Sequence, residues 1–218
     1  MASDVDRSSQ DLPAAHLHGT WEQGWWRHAR QIASPNFGAR PLGVNVDLIV
    51  VHAISLAPGQ YGTDAVMQFF TNQLDWSSHP YFETLRGLKV SAHFFIRRDG
   101  EVLQFVSADQ RAWHAGVSHY RGRDNCNDDS IGIELEGLEG DDFDPPQYES
   151  LARLCKALAK RYPVAHVAGH EHIAPGRKGD PGRGFDWSRL QRLLAWPEDR
   201  FPDPQTGEKR ADHRAETT

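Results

Sequence analysis

The sequence has little of several features that would assign a protein to a broad class. It has only two cysteines, Cys126 and Cys155, in 218 residues, which is too few for a disulfide framework and fits a reducing cytoplasm. No apolar run reaches the roughly 18 residues typical of a membrane-spanning helix. The first twenty residues lack the apolar core of a secretory signal. We therefore expect a cytoplasmic protein that does not associate with membranes.

An excess of positive charge is also missing. The chain has 24 lysines and arginines against 30 aspartates and glutamates, which gives a formal net charge of −6 at pH 7. Binding to a phosphate backbone requires a basic surface, so we expect no nucleic-acid partner. Nothing in the sequence indicates an obligate protein partner either, and the expected ligand is a small molecule.

The length allows one domain with a sizeable core. Residues 1–20 are polar and aperiodic, which predicts a flexible N-terminal arm. Residues 198–218 combine prolines and charges with very few apolar side chains, which predicts a weakly ordered C-terminal tail. No repeat or internal linker interrupts the chain between these ends. The folded domain is therefore predicted to span residues 21–197.

Apolar periodicity within this domain predicts a mixed α/β fold, a single domain with a central mixed β-sheet flanked by α-helices. The dipeptide Asp99-Gly100 between two apolar runs predicts a β-hairpin with a two-residue turn. The predicted strands are 48–51, 92–97, 102–106, 131–136 and 164–168. The predicted helices are 63–75, 148–162 and 185–196.

The most unusual segment is 169–182, which places histidines, a lysine and an aspartate among prolines and glycines. Its prolines exclude a single helix, so we expect an ordered loop that holds several polar groups at one point. His52 ends one apolar strand, His170 follows another, and Asp180 closes the loop. Two imidazoles and one carboxylate suit Zn²⁺ and leave a fourth position open for water, as in catalytic zinc sites.

Spacing alone leaves three choices open. His172 would share a face with His170 if the segment were extended, and two glutamates share one face of the predicted strand 131–136. Either glutamate could take a proton from water, and either of two adjacent cations could stabilise an oxyanion. The unresolved pairs are His170 or His172, Glu134 or Glu136, and Lys178 or Arg177.

Seven motifs in chain order resemble the AmpD family of zinc-dependent N-acetylmuramoyl-L-alanine amidases, which share their fold with peptidoglycan-recognition proteins. The resemblance extends from about Gly24 to Trp187 and leaves the two ends of the chain uncovered. The motifs are residues 51–56, 90–93, 96–100, 111–118, 126–128, 130–137 and 170–182.

The resemblance implies an assignment for each open choice. It places one Zn²⁺ per chain on His52, His170 and Asp180, and leaves His172 outside the ligand set. It implies that Glu134 is the proton acceptor and that Lys178 stabilises the transition state.

The resemblance also implies the reaction, hydrolysis of the amide bond between the lactyl group of 1,6-anhydro-N-acetylmuramic acid and L-alanine in muropeptides during peptidoglycan recycling. We expect Trp113 and His114 to form the cleft wall that meets sugar or peptide. Two alternatives are a peptidoglycan-binding module without catalysis and an amidase that acts on intact peptidoglycan. The first conflicts with the complete set of implied ligands, and the second would require an export signal.

Overall fold

A computed structural model describes residues 20–202 of the chain, and they contain twelve short strands and five helices. The strands are β1 (Trp21–Glu22), β2 (Trp25–Trp26), β3 (Arg30–Gln31), β4 (Phe37–Gly38), β5 (Leu48–Ile54), β6 (Phe94–Ile96), β7 (Val102–Gln104), β8 (Arg111–Ala112), β9 (His119–Tyr120), β10 (Arg123–Asp124), β11 (Ser130–Glu136) and β12 (His166–Gly169). The helices are α1 (Ala65–Phe70), α2 (Pro80–Glu83), α3 (Pro145–Arg161), α4 (His170–Ile173) and α5 (Trp187–Leu194).

Six strands form the central sheet in the order β12-β5-β11-β6-β7-β3. The first four are parallel to one another, and β7 is antiparallel to β6. This mixed sheet with flanking helices is the predicted fold class. The parallel register pairs His52 with Glu134 on the adjacent strands β5 and β11, so the strand order alone places these two side chains together.

One face of the sheet carries the main hydrophobic core. Alternate residues of β11 (Ile131, Ile133 and Leu135) pack there with the buried side of α3, and all three are at most 1% exposed. Helix α3 begins after Asp144, whose backbone N–H donates to the Gln147 side chain at 2.9 Å. Such reciprocal capping satisfies amide groups that have no partner within a helix. The opposite face of β5 carries a smaller apolar cluster that includes Leu48 and Val50, and His52 follows these two residues on the same face.

The structure refines several predicted boundaries. The hairpin of β6 and β7 is confirmed, but its turn is longer than two residues, because Ile96 pairs with Val102 and the Arg97 N–H donates to the Glu101 carbonyl at 2.9 Å. Helix α1 covers only the middle of the predicted 63–75, since the backbone reverses at Asn72 with φ +59°. Helix α5 is likewise shorter than the predicted 185–196.

Residues 1–19 of the predicted arm and residues 203–218 of the predicted tail lie outside the described residues, so the domain limits stay predictions. The described beginning of the tail, Glu198–Arg200, forms a 3-10 turn, and Phe201 is buried against the core. Within residues 20–202, no helix is both long enough and apolar enough to cross a bilayer. Cys126 and Cys155 are both buried as free thiols.

Candidate metal centre and active site

His52, His170 and Asp180 converge at the carboxyl ends of β5 and β12. The Nδ1 atoms of the two histidines are 2.9 Å apart. The Asp180 carboxylate lies 3.3 Å from the first Nδ1 and 3.2 Å from the second. Ligand atoms about 2.0 Å from a tetrahedral ion are about 3.3 Å apart, so this spacing fits one zinc ion. The donor set, two imidazoles and one carboxylate, fits it as well.

The pKa values of His52 and Asp180 favour the protonation states that bind a cation. Burial lowers the pKa of His52 to about 4, which keeps its imidazole neutral. Burial would raise the pKa of Asp180, but its contacts with the His170 and His52 rings hold it well below its usual range. A metal ligand must be a neutral imidazole or an ionised carboxylate, and these two groups have those states near neutral pH.

The loop after β12 decides between His170 and His172. The chain does not stay extended there but enters the single turn α4, so the two side chains point in different directions. The Nδ1 of His172 accepts the Gly169 N–H at 2.9 Å, and its ring packs edge-on against Trp187. His170 alone reaches the cluster, which agrees with the ligand set that the resemblance implied.

Asp180 is brought back to the cluster by contacts along the loop. Its backbone carbonyl accepts the Glu171 N–H at 2.9 Å, which fastens the end of the loop to α4. The N–H groups of Arg177 and Lys178 both donate to the Ala174 carbonyl. These two hydrogen bonds close a tight turn between Ala174 and Lys178. Backbone N–H groups of a buried or ordered loop need acceptors, and here carbonyl groups of the same loop accept their hydrogen bonds.

Both metal-facing histidines use their second ring nitrogen within the protein. The Nε2 of His170 lies 3.0 Å from the Ala115 carbonyl. The Nε2 of His52 lies 2.9 Å from the Nδ1 of His114. Such partners fix ring orientation and tautomer at metal sites. Both nitrogens of His114 are engaged by the protein, so any substrate contact by this predicted cleft residue would come from its ring carbons.

The two glutamates of β11 have opposite environments. Glu136 is buried, and its two oxygens accept the N–H groups of Gly62 at 2.6 Å and Arg98 at 3.1 Å. Glu134 faces the metal cluster, and its buried Oε2 has no hydrogen-bond partner among residues 20–202. Burial and the charge of Asp180 raise the pKa of Glu134 well above its usual value, against the opposing charge of Lys178.

The two adjacent cations also differ. The guanidinium of Arg177 is committed to the backbone, since it donates to the carbonyls of Ala115 at 2.7 Å and Val117 at 2.6 Å. Lys178 is exposed, and in the described part of the chain its side chain makes no hydrogen bond or ion pair. Both lie at the rim of the cavity over the cluster. Lys178 is therefore the cation that can turn toward a developing negative charge.

A cavity of about 510 Å³ opens above the cluster. Its floor holds His52, His170, Asp180 and Glu134, and the predicted residue Trp113 lines the wall beside them. A second wall is apolar and comes from the segment after β5, from α1 and from the segment through α2. That wall contains Leu56, Phe69, Phe70, Tyr81, Leu85, Leu88 and Val90.

Sequence reasoning assigned no role to two polar residues beneath the floor. Ser130 and Asn127 are both buried and hydrogen-bonded below the cluster. The signal that could have found them is Gly132, between two isoleucines of β11. A Cβ at this position would lie 2.4 Å from the His114 ring, so a glycine in a buried strand marks the close approach of another group.

Known proteins resemble the chain over most of its length. The N-acetylmuramoyl-L-alanine amidase family matches residues 42–183. The 1,6-anhydro-N-acetylmuramyl-L-alanine amidase AmpD of Citrobacter freundii is 49% identical over 175 residues, which cover 79% of this chain and 94% of that protein. A crystal structure of a selenomethionine derivative of AmpD is 50% identical, covers 79% of this chain and 98% of its own, and has a TM-score of 0.78.

A third relative was solved with a ligand. The N-acetylmuramyl-L-alanine amidase AmiD of Escherichia coli, in complex with the substrate anhydro-N-acetylmuramic acid-L-Ala-D-γ-Glu-L-Lys, is 28% identical with a TM-score of 0.51. It covers 79% of this chain and 64% of its own. The fold, the family match and the high identity to AmpD agree with the resemblance found in the motifs. The chain belongs to the N-acetylmuramoyl-L-alanine amidase family and has the amide-hydrolase activity that defines it.

Proposed function

We propose that the enzyme hydrolyses the amide bond between the lactyl group of 1,6-anhydro-N-acetylmuramic acid and L-alanine in free muropeptides. The observation that carries the proposal is the juxtaposition of three ligand atoms 2.9 to 3.3 Å apart with a buried carboxylate on the next strand, whose Oε2 has no hydrogen-bond partner in the described part of the chain. Identity near one half to proteins named for this reaction supports the substrate.

The metal of this site is proposed to be one Zn²⁺ per chain, held by His52, His170 and Asp180. When bound, zinc supplies a Lewis acid that polarises a carbonyl and lowers the pKa of water from about 15.7 to about 7. A structural zinc site would need four protein ligands. The fourth side of this cluster opens into the cavity instead.

Glu134 is proposed to move the proton. A water oxygen attacks the lactyl carbonyl carbon and forms the new C–O bond, while Glu134 accepts the proton that this water loses. The same carboxyl then donates that proton to the nitrogen of L-alanine as the C–N bond breaks. A buried carboxyl that binds a proton more readily than usual can both accept this proton and give it back.

Lys178 is proposed to stabilise the oxyanion of the tetrahedral intermediate. Its position at the rim of the cavity places a positive charge next to the floor residues, and removing one such donor costs an enzyme about 3 to 4 kcal/mol of transition-state stabilisation. Trp113 is proposed to contact the sugar or peptide from the polar side. The apolar wall offers a surface for the uncharged parts of the same ligand.

The proposed substrate is small and freely diffusing, which fits the predicted cytoplasmic location and requires no nucleic-acid or protein partner. Action on intact peptidoglycan is the main competing substrate assignment.

The experiment is mass-spectrometric turnover of anhydro-N-acetylmuramyl-tripeptide by the protein as purified, after chelation, and after zinc is restored. Polymeric peptidoglycan is assayed in parallel. We expect release of free tripeptide that stops on chelation and returns with zinc, together with much slower release from the polymer. Equal rates on both substrates would overturn the recycling assignment, and turnover unaffected by chelation would overturn the metal site.

A further inference from the structure

A line of hydrogen-bonded polar groups extends from His52 away from the cavity into the protein. The Nε2 of His52 contacts the Nδ1 of His114 at 2.9 Å, and the Nε2 of His114 contacts the Ser130 hydroxyl at 3.1 Å. The Ser130 hydroxyl is also hydrogen-bonded to the Cys126 carbonyl. Neither His114 nor Ser130 is among the proposed metal ligands.

The far end of this line sets its direction. The Cys126 carbonyl can only accept, so the Ser130 hydroxyl must donate to it. The Ser130 oxygen then accepts from His114, which places the His114 proton on Nε2 and leaves Nδ1 as an acceptor. His52 must in turn donate from its own Nε2. Its proton is thereby kept away from Nδ1, the atom that faces His170 and Asp180.

The backbone of the same segment is also held in place. The N–H groups of His114 and Ala115 both donate to the Asn127 side-chain oxygen, at 3.0 and 2.8 Å. The Ala115 carbonyl then accepts from His170 at 3.0 Å. Two consecutive residues therefore contact both metal-facing histidines, one through a side chain and the other through a carbonyl.

We propose that His114, oriented by Ser130, is a positioning residue that holds His52 in the tautomer and orientation required for metal ligation through Nδ1. The inference rests on the proposed zinc site. It predicts that Ser130, which is linked to His52 through His114, influences metal affinity. The second nitrogen of His170 differs from that of His52, because its partner is the Ala115 backbone carbonyl. A carbonyl can only accept a hydrogen bond, so no side-chain substitution turns it into a donor.

The buried serines provide a matched pair for the test. Ser130→Ala removes the acceptor of the His114 proton, which allows His114 to take the other tautomer and to donate toward His52. Ser118→Ala removes a hydroxyl that accepts the Cys126 N–H at 3.0 Å and donates to the Gly116 carbonyl, without contacting any histidine. Both variants lose buried hydrogen bonds around the same residue, Cys126.

Zinc affinity is measured for both variants by competition with a chromophoric chelator. We expect Ser130→Ala to weaken binding about 10-fold or more, within the range known for groups that orient metal ligands, and Ser118→Ala to change it less than about twofold. His114→Leu should weaken binding further. His114→Asn should restore part of it, because its side-chain oxygen can accept near the position of Nδ1. Equal weakening by the two serine variants would overturn the proposal.

A spectroscopic readout tests the tautomer itself. Imidazole nitrogen NMR spectra of histidine-labelled protein should show neutral His114 with its proton on Nε2, in both the metal-free and the zinc-loaded protein. A His114 proton on Nδ1 in either form would overturn the proposal. A wild-type protein that binds no zinc would instead contradict the proposed function. The metal-free spectrum would still test the proposed hydrogen bonds from His52 through His114 to Ser130.

Discussion

Glu134 and Glu136 occupy the same face of one strand, two residues apart, and both are buried. Glu136 is a structural acceptor, because the backbone N–H groups of Gly62 and Arg98 saturate its two oxygens. Glu134 is held beside a metal-ligand cluster with one oxygen unpartnered among the described residues. The two residues share residue type, strand and burial. Their hydrogen-bond partners differ, because the loops that contain Gly62 and Arg98 reach Glu136.

This comparison shows what separates a reactive carboxylate from a structural one. A buried carboxylate that accepts backbone hydrogen bonds is stabilised in its charged form. Burial, together with the charge of Asp180, destabilises the charged form of Glu134 and raises its pKa. An unpartnered buried polar atom costs stability, and a catalytic role is one reason for a protein to retain it.

The largest expected effect separates the two residues by turnover. Glu134→Gln should lower kcat about 10²- to 10⁴-fold, the usual contribution of a general acid–base group, while zinc content measured by elemental analysis stays at one per chain. Glu136→Gln should keep most of the turnover. If the two variants lost activity equally, the assignment of proton transfer to Glu134 would be wrong.

The adjacent cations offer a second and smaller contrast. Lys178→Met should lower kcat about 10²-fold, because a free ammonium that can reach the oxyanion is lost. Arg177→Met removes the same charge one residue earlier but mainly breaks contacts to the Ala115 and Val117 carbonyls. Steady-state kinetics should show the larger loss of kcat in Lys178→Met, and the reverse order would exchange their roles.

Stability should rank the two glutamates in the opposite order. Glu136→Ala leaves the N–H groups of Gly62 and Arg98 without their acceptor, so the free energy of unfolding should fall by about 1 to 3 kcal/mol in urea titrations. The metal-free Glu134→Gln variant should be no less stable than the wild type at neutral pH. A large destabilisation by Glu134→Gln would show that this carboxylate has a structural partner after all.

The smallest effect is a pH dependence in the metal-free protein. The pKa of Glu134 is higher in the folded state than in the unfolded chain, so its contribution to stability is lost as pH rises above the unfolded value of about 4.3. Glu134→Gln should therefore gain stability relative to the wild type at pH 8 but not at pH 4. Unfolding curves at the two pH values measure this difference, and a constant offset would contradict it.

Much of the fold could be predicted because its signals are local. The run Leu48–Val51 is fully buried in β5, and the periodic apolar positions of α3 face the core. The hairpin between β6 and β7 was predicted with too short a turn. The Asp-Gly pair suggested two residues, but the Asp99 side chain accepts the Glu101 N–H at 2.9 Å, and Arg97 instead of Arg98 is hydrogen-bonded to Glu101, so the loop has three residues.

The choice between paired candidates could not be predicted from spacing. His170 and His172 were equivalent in an extended segment, and the turn α4 distinguishes them. The hydrogen bonds from His52 through His114 to Ser130 could not be predicted at all. Ser130 and His114 come from different segments and meet only in the folded protein. Resemblance to a family supplied the ligand set, but it gave no physical reason for it.

Local sequence patterns account for the fold class, for the strands that lead to His52 and His170, and for a loop that is rich in polar groups and contains two prolines, since these depend on periodicity and backbone restrictions. Three outcomes depend on the tertiary structure: which of the two glutamates lacks a partner among residues 20–202, which of the two histidines reaches Asp180, and which of the two cations makes no hydrogen bond within those residues. Those outcomes depend on hydrogen-bond partners many residues away in the chain, and no short window of sequence contains them.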